Sequence, residues 1–190
     1  MRAGLTAVSI ATVAALSAAT WWIASLGPAP LGKGLTVSTV VEDRDGKLLR
    51  AYLTPEGRWR LPATRDNIDP RFLALLLAYE DKRFFAHRGV DPLALGRALS
   101  QLIVRGHVVS GASTITMQVA RLLEPRSERS VTAKLRQMIR AVEIERALSK
   151  DAILALYLSL APYGGNLEGV RAASLAYFGK EPRRLTLGEA

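Results

Sequence analysis

Residues 3–26 run without one charged side chain and close on Trp21, Trp22 and Ile23. As a helix rising about 1.5 Å per residue, this run would be roughly 36 Å long, enough to span a bilayer core of about 30 Å with some tilt. The tryptophan pair sits where an interfacial aromatic belt belongs. Arg2 and the amino terminus are the only positive charges ahead of it, and nothing acidic opposes them. A cleaved signal peptide is the competing reading, because the run is rich in Ala, Ser and Thr. It is longer than a usual signal core, and the paired tryptophans fit poorly just before a cleavage site. The pattern therefore predicts a transmembrane anchor over residues 1–26. Either reading puts the rest of the chain outside the cytoplasm.

The pattern then changes. Residues 27–35 hold Gly27, Pro28, Pro30, Gly32 and Gly34, which read as a linker. Two β-prone runs, residues 36–41 and 48–53, flank Asp45-Gly46 and predict a small hairpin. Asp43 and Asp45 could be taken for a metal-nucleotide pair, but at a hairpin tip aspartate is ordinary turn chemistry. From Asp69 onward the spacing is helical. Asp69-Pro70 and Asp91-Pro92 each combine a capping aspartate with proline at the first helical position. Ser130 opens a third helix with apolar residues at Leu135, Met138, Ile139 and Val142. Residues 150–161 form a fourth, stopped by Pro162 and Gly164-Gly165, and residues 167–178 a fifth. Thr186 and Glu189 have the spacing of a capping box, so the chain is expected to stop inside a domain. The apolar runs 73–77 and 99–104 read first as core, and second as a surface that dips into a membrane.

Composition narrows the chemistry. The 190 residues are 49% hydrophobic with 6% aromatics, so the core should be Leu, Ala, Val and Ile. With no cysteine there is no disulfide framework and no thiolate metal site. His87 and His107 are the two histidines, too few for a histidine-rich metal centre. The net charge of +9 suits a polyanion, an anionic membrane or a phosphorylated substrate. An exported chain makes nucleic acid an unsuitable partner.

Glu80 is the first residue to raise a question of chemistry. Leu73, Leu76, Leu77 and Phe84 lie seven, four and three residues before it and four after it, which predicts one helical face. A carboxylate in an apolar stripe is costly unless something pairs or uses it. Loss of water there makes it a better proton acceptor. Pairing with Arg83 or Arg88 is the structural alternative, and periodicity alone does not choose.

The words around it carry a resemblance. Residues 80–89, EDKRFFAHRG, resemble the first motif of the peptidoglycan glycosyltransferases of family 51, EDxxFxxHxG. Residues 111–118, GASTITMQ, resemble the second motif, GxSTITQQ, with Met117 as a departure. Residues 134–137, KLRQ, and 149–158, SKDAILALYL, follow in the family's order, as do PYGG at 162–165 and the stretch 169–179. Together they cover residues 36–190. Met117-Gln118, RLLEP at 121–125, Gln137 and APYGG at 161–165 are similar to the 1C branch of the class A penicillin-binding proteins. No Ser-x-x-Lys nucleophile motif of a transpeptidase occurs.

The resemblance implies a mainly α, lysozyme-like glycosyltransferase domain over residues 36–190, incomplete at its carboxyl end, after the hairpin and one N-terminal transmembrane helix. It implies an inverting enzyme that joins lipid-linked disaccharide-peptide into β-1,4 glycan at the outer face of a bacterial inner membrane, releasing polyprenyl diphosphate. Glu80 aligns with the general base. Arg121, Arg129 and Lys134 fall where the family binds the donor pyrophosphate. Asp81, His87, Ser113, Thr114, Gln118 and Gln137 are expected around the same cleft, with His87 bonding rather than catalytic. Gln137 stands where the family usually has a second glutamate, and an amide can orient a group but cannot accept a proton usefully. The sequence requires no cofactor, and it leaves a divalent metal open but unsupported. Other wall-synthesis proteins are candidate partners. The structural alternatives are a helix start at Ser113 and a solvated basic face formed by Arg126, Arg129, Lys134, Arg136 and Arg140. The functional alternatives are a non-catalytic scaffold of the same fold and a lytic, lysozyme-like hydrolase.

Overall fold

The computed structural model describes residues 2–107, 111–126 and 130–190, with side chains described from Ile10 onward. It opens on helix α1, Arg2–Ser25. Among the described residues no helix is long and apolar enough to cross a membrane, so the helix expected over residues 1–26 is present while its crossing of a bilayer is not displayed. Within the residues read as a linker, Leu31 packs on the core, and a Cβ on Gly32 would come within 2.7 Å of Leu156.

Strands β1, Val40–Glu42, and β2, Leu48–Ala51, pair antiparallel with Val40 opposite Ala51. They are shorter than the runs 36–41 and 48–53 because the flanking backbone bonds elsewhere: Ser38 N–H goes to the Arg60 carbonyl. At the hairpin tip Asp43 Oδ1 accepts from the amides of Asp45 and Lys47, both at 2.9 Å, and Gly46 takes φ 76°. The Asp43 carboxylate is thus occupied with the turn, while that of Asp45 is exposed beside Arg44.

Helices α2, Pro70–Glu80, and α3, Pro92–Arg105, start where the capping signals predict. Asp69 accepts from Arg71 N–H, and Asp91 from the amides of Leu93 and Ala94. Helix α4, Ile115–Leu123, is capped by Thr114 rather than Ser113: Thr114 Oγ1 accepts from Met117 N–H at 3.1 Å. Helices α5, Val131–Ala147, and α6, Lys150–Leu160, are capped by Ser130 and Ser149. One expectation fails at its start. Leu167–Glu168 is a short strand, β4, parallel to β3, Trp59–Arg60, and helix α7 runs only over Val170–Phe178. Gly169 divides the two. It takes φ 85°, and a Cβ there would lie 2.7 Å from the Ser159 carbonyl oxygen. Thr186 N–H and Oγ1 both donate to the Glu189 carboxylate, so the box closes as a turn bonded also to Lys180.

Helices α4 and α6 form the centre. Ile115, Val119, Ile144, Ile153, Leu154, Leu158 and Phe84 are all buried in one cluster with Val170. Each such side chain removed from water contributes about 1.5–3 kcal/mol. Leu73 is buried and Leu76 and Leu77 pack against the cluster, while Ala74 and Leu75 are exposed, so the core reading of residues 73–77 holds for one face of the helix. Helix α3 differs. Only Ala98 is buried on it, while Ile103 is 75% and Val104 80% exposed, so the core reading of residues 99–104 fails.

Candidate active site

Helix α2 ends at Glu80, so Phe84 is not on its face. Phe84 belongs to a 3-10 turn, Phe84–Ala86, that carries the ring back into the core. The stripe counted from the sequence therefore ends at Glu80, and the carboxylate sits at a helix end, half-buried. Gln118 Nε2 donates to Glu80 Oε2 at 2.7 Å, which joins the first motif to the second.

Asp81 takes the cap position with φ −158° and ψ 75°, and its side chain turns inward. Its Oδ2 accepts from the amide of Ile115, at the start of α4, and both its oxygens lie 3.0 Å from His87 Nε2. Thr114 Oγ1 donates to the Gly89 carbonyl. Gly89 has φ 91°, and a Cβ on it would stand 2.6 Å from the backbone of Ala141 on α5. Asp81, His87 and Thr114 are thus buried behind the cleft, binding α2 and the 3-10 turn to α4. His87 bonds to Asp81 and not to Glu80. Its Nδ1 is buried without a partner among the described residues. His107 is exposed, with Nδ1 3.0 Å from the Arg105 carbonyl.

In front of this frame lies a cavity of about 530 Å³ lined by Glu80, Ser113, Gln118, Arg121, Lys134 and Gln137, together with Tyr79, Gly111 and Met117. Helix spacing explains the grouping. Gln118 and Arg121 are three apart on α4, Lys134 and Gln137 three apart on α5, and the two helices pack together. Lys134 Nζ donates to Ser113 Oγ. Burial, and after it the charge of Arg121, pulls the Lys134 ammonium below the ordinary lysine range. An anion bound between the two would relieve both effects. A second cavity of about 580 Å³ shares Arg121, Lys134 and Gln137 and adds Glu124, Arg126, Arg136 and Arg140. Arg129 lies outside the described residues.

Two features escaped sequence reading. Arg140 is not part of a solvated basic face, being 2% exposed and paired to Glu124 and Glu143. Behind Glu80 stand Tyr157 and Tyr163. Burial pushes the Tyr157 hydroxyl up to about 12, with the Glu80 charge adding to the effect and Arg121 opposing it. Burial raises Tyr163 too, helped by Tyr157 and Glu80. The motifs SKDAILALYL and PYGG contain them, Tyr157 on α6 and Tyr163 just after it, but only tertiary packing brings them near Glu80. Among the described residues no cluster of three or more His, Asp or Glu could hold a metal ion.

A mainly helical body with small sheets, a glutamate at a helix end and cations across a shared cavity define a transglycosylase domain, and the chain belongs to that family: the model described as Transglycosylase matches residues 45–190. Over 172 residues the chain is 45% identical to penicillin-binding protein 1C of Escherichia coli K12, covering 90% of this chain and 22% of that protein. It is 41% identical over 155 residues to penicillin-binding protein 1A of the same organism, covering 82% of the chain and 18% of the relative. Penicillin-binding protein 1F of Bacillus subtilis is 34% identical over 155 residues, covering 82% and 21%. The chain spans about a fifth of the length of these relatives.

Proposed function

We propose that this chain polymerises lipid-linked disaccharide-peptide into β-1,4 glycan for the cell wall. Glu80 takes the proton of the acceptor sugar hydroxyl as that oxygen attacks the donor anomeric carbon. The bond from that carbon to the diphosphate breaks, its electron pair leaves with the diphosphate, and inversion follows from attack on the opposite face. Arg121 and Lys134 meet the growing charge, the first as a planar fork and the second as a point charge. Arg129 is the third candidate for that task on sequence grounds. Gln118 holds one oxygen of Glu80, and Gln137 orients a sugar or diphosphate oxygen as a neutral amide.

The observation that carries this reading is one cavity shared by Glu80, Arg121 and Lys134. A lytic hydrolase needs the glutamate but no such cations. A substrate with a polyprenyl tail stays in the bilayer, so the reading includes α1 as a single-pass anchor in a bacterial inner membrane and the domain in the periplasm. The exposed apolar residues of α3 then rest in the membrane surface.

The test is incubation of the full-length protein with lipid-linked disaccharide and sizing of the product. Glu80→Gln should lower polymer formation by roughly 10²–10⁴-fold, the ordinary worth of a positioned base, with an unchanged melting temperature. Normal polymer from that variant would remove Glu80 from the role. Shortened glycan chains would indicate the hydrolase. Absence of turnover in a wild-type protein that still binds a diphosphate mimic would indicate the scaffold, a reading that the neutral Gln137 in the cavity favours.

A further inference from the structure

Arg140 lies on α5 and its side chain is 2% exposed, yet its two Nη atoms serve three separate parts of the chain. Nη1 donates to the Gly27 carbonyl at 3.0 Å and to Glu143 at 2.8 Å. Nη2 donates to the Leu26 carbonyl and pairs with Glu124 at 2.9 Å. Leu26 and Gly27 are the first residues after α1, and their amides close its last turn on Ile23 and Ala24. The carboxyl end of a helix gathers partial negative charge and free carbonyls, and a nearby cation satisfies both. Helix α1 has no basic residue in its own last turn. The cation comes instead from α5, more than a hundred residues away. Burial works against the charge on Arg140, but Glu143 and Glu124 outweigh it and raise its proton affinity. The same side chain lines the cavity that contains Arg121 and Lys134.

We propose that Arg140 is a positioning residue: it locks the exit of the anchor helix onto the basic cavity, and so sets the height of the reaction cleft above the bilayer. This rests on the reading given under Proposed function. A polyprenyl-linked donor presents its diphosphate at a height fixed by the membrane. A cleft on a free tether would sample many heights, whereas one bolted to the anchor exit holds the register. Arg140 bonds to Leu26, Gly27, Glu124 and Glu143, and Glu80 is not among its partners. Its effect is on capture of a membrane-held substrate.

The full-length protein in lipid vesicles is assayed with a long-chain polyprenyl donor, and in solution with a short-chain water-soluble donor. Arg140→Gln should raise KM for the long-chain donor about tenfold and leave kcat within about twofold, because it disturbs placement and not the chemical step. The short-chain donor should show the clearly smaller loss, a rise in KM of no more than about threefold, because Arg140 also lines the cavity beside Arg121 and Lys134. Arg140→Lys, which keeps the charge but not the fork, should recover part of the loss. A second readout does not depend on turnover. Nitroxide labels at Trp21→Cys and Arg146→Cys should give one narrow distance in the parent and a broad distribution in Arg140→Gln. Equal losses with both donors and a lowered melting temperature would reduce Arg140 to a structural role and overturn the proposal. An unchanged KM beside an active parent would overturn it alone. A parent inactive on both donors would sink the glycosyltransferase reading and this proposal together.

Discussion

At the residue scale, adjacent side chains divide the labour. Glu80 and Asp81 are neighbours in one motif, and on sequence alone both belonged beside the cleft. The cap backbone at Asp81 separates them. Glu80 faces the cavity, while Asp81 turns into the protein and accepts from Ile115 N–H and His87. Asp81→Ala would leave an amide and an imidazole buried without an acceptor. At about 1–3 kcal/mol for each orphan, it should cost roughly 3 kcal/mol in urea unfolding of the full chain. Asp81→Asn keeps an acceptor for Ile115 and should cost less. A loss below about 1 kcal/mol for the alanine variant would show that the buried bonds contribute little. The place of Glu80 at the cavity was legible from the motif around it, whereas the apolar stripe alone did not choose between use and pairing. The inward role of Asp81 was not legible, because it depends on an amide 34 residues away.

At the element scale, helix starts were the most legible feature. Asp69, Asp91, Ser130 and Ser149 each cap within three residues of themselves, so the signal is local. The two-residue strand β4 was not legible. It exists because Trp59 and Arg60 run beside it, and no local pattern announces a partner so distant. Ser113 was a plausible cap by composition, but Lys134 holds its hydroxyl and Thr114 takes the capping place. Gly89 tests how elements are joined. Gly46 and Gly89 both have positive φ, yet nothing lies within 4 Å of a Cβ on Gly46, while one on Gly89 meets α5 backbone at 2.6 Å. Gly46→Ala should therefore cost about 1–2 kcal/mol, the strain of its conformation alone. Gly89→Ala should cost about 3–5 kcal/mol, because α5 backbone must move as well. Thermal unfolding of the two variants checks the difference, and equal losses would mean that α5 yields freely.

At the scale of the whole molecule, the exposed apolar face of α3 and the helix α1 bear on the same question. Leu99, Leu102, Ile103 and Val104 face solvent. With the domain held at a bilayer, a nitroxide at Ile103→Cys should be relaxed more by oxygen than by a water-soluble nickel chelate. A label at the exposed Arg184 should show the reverse. Equal accessibility at both sites would mean that α3 stays in water. The chain lacks cysteine, which keeps each label single within these residues.

The sequence by itself determined the helical body, the caps at Asp69, Asp91 and Ser130, the hairpin turn and the order of the motifs, because each depends on residues a few positions apart. It also singled out Glu80, Gln118, Arg121 and Lys134, which the structure gathers around one cavity. Tertiary structure alone decided which of the motif residues face that cavity and which brace it. It turned Arg140 from a surface charge into a buried bond to the end of α1, and it left α3 exposed. The reason is physical. Helix spacing states which residues share a face, but only packing states what that face meets.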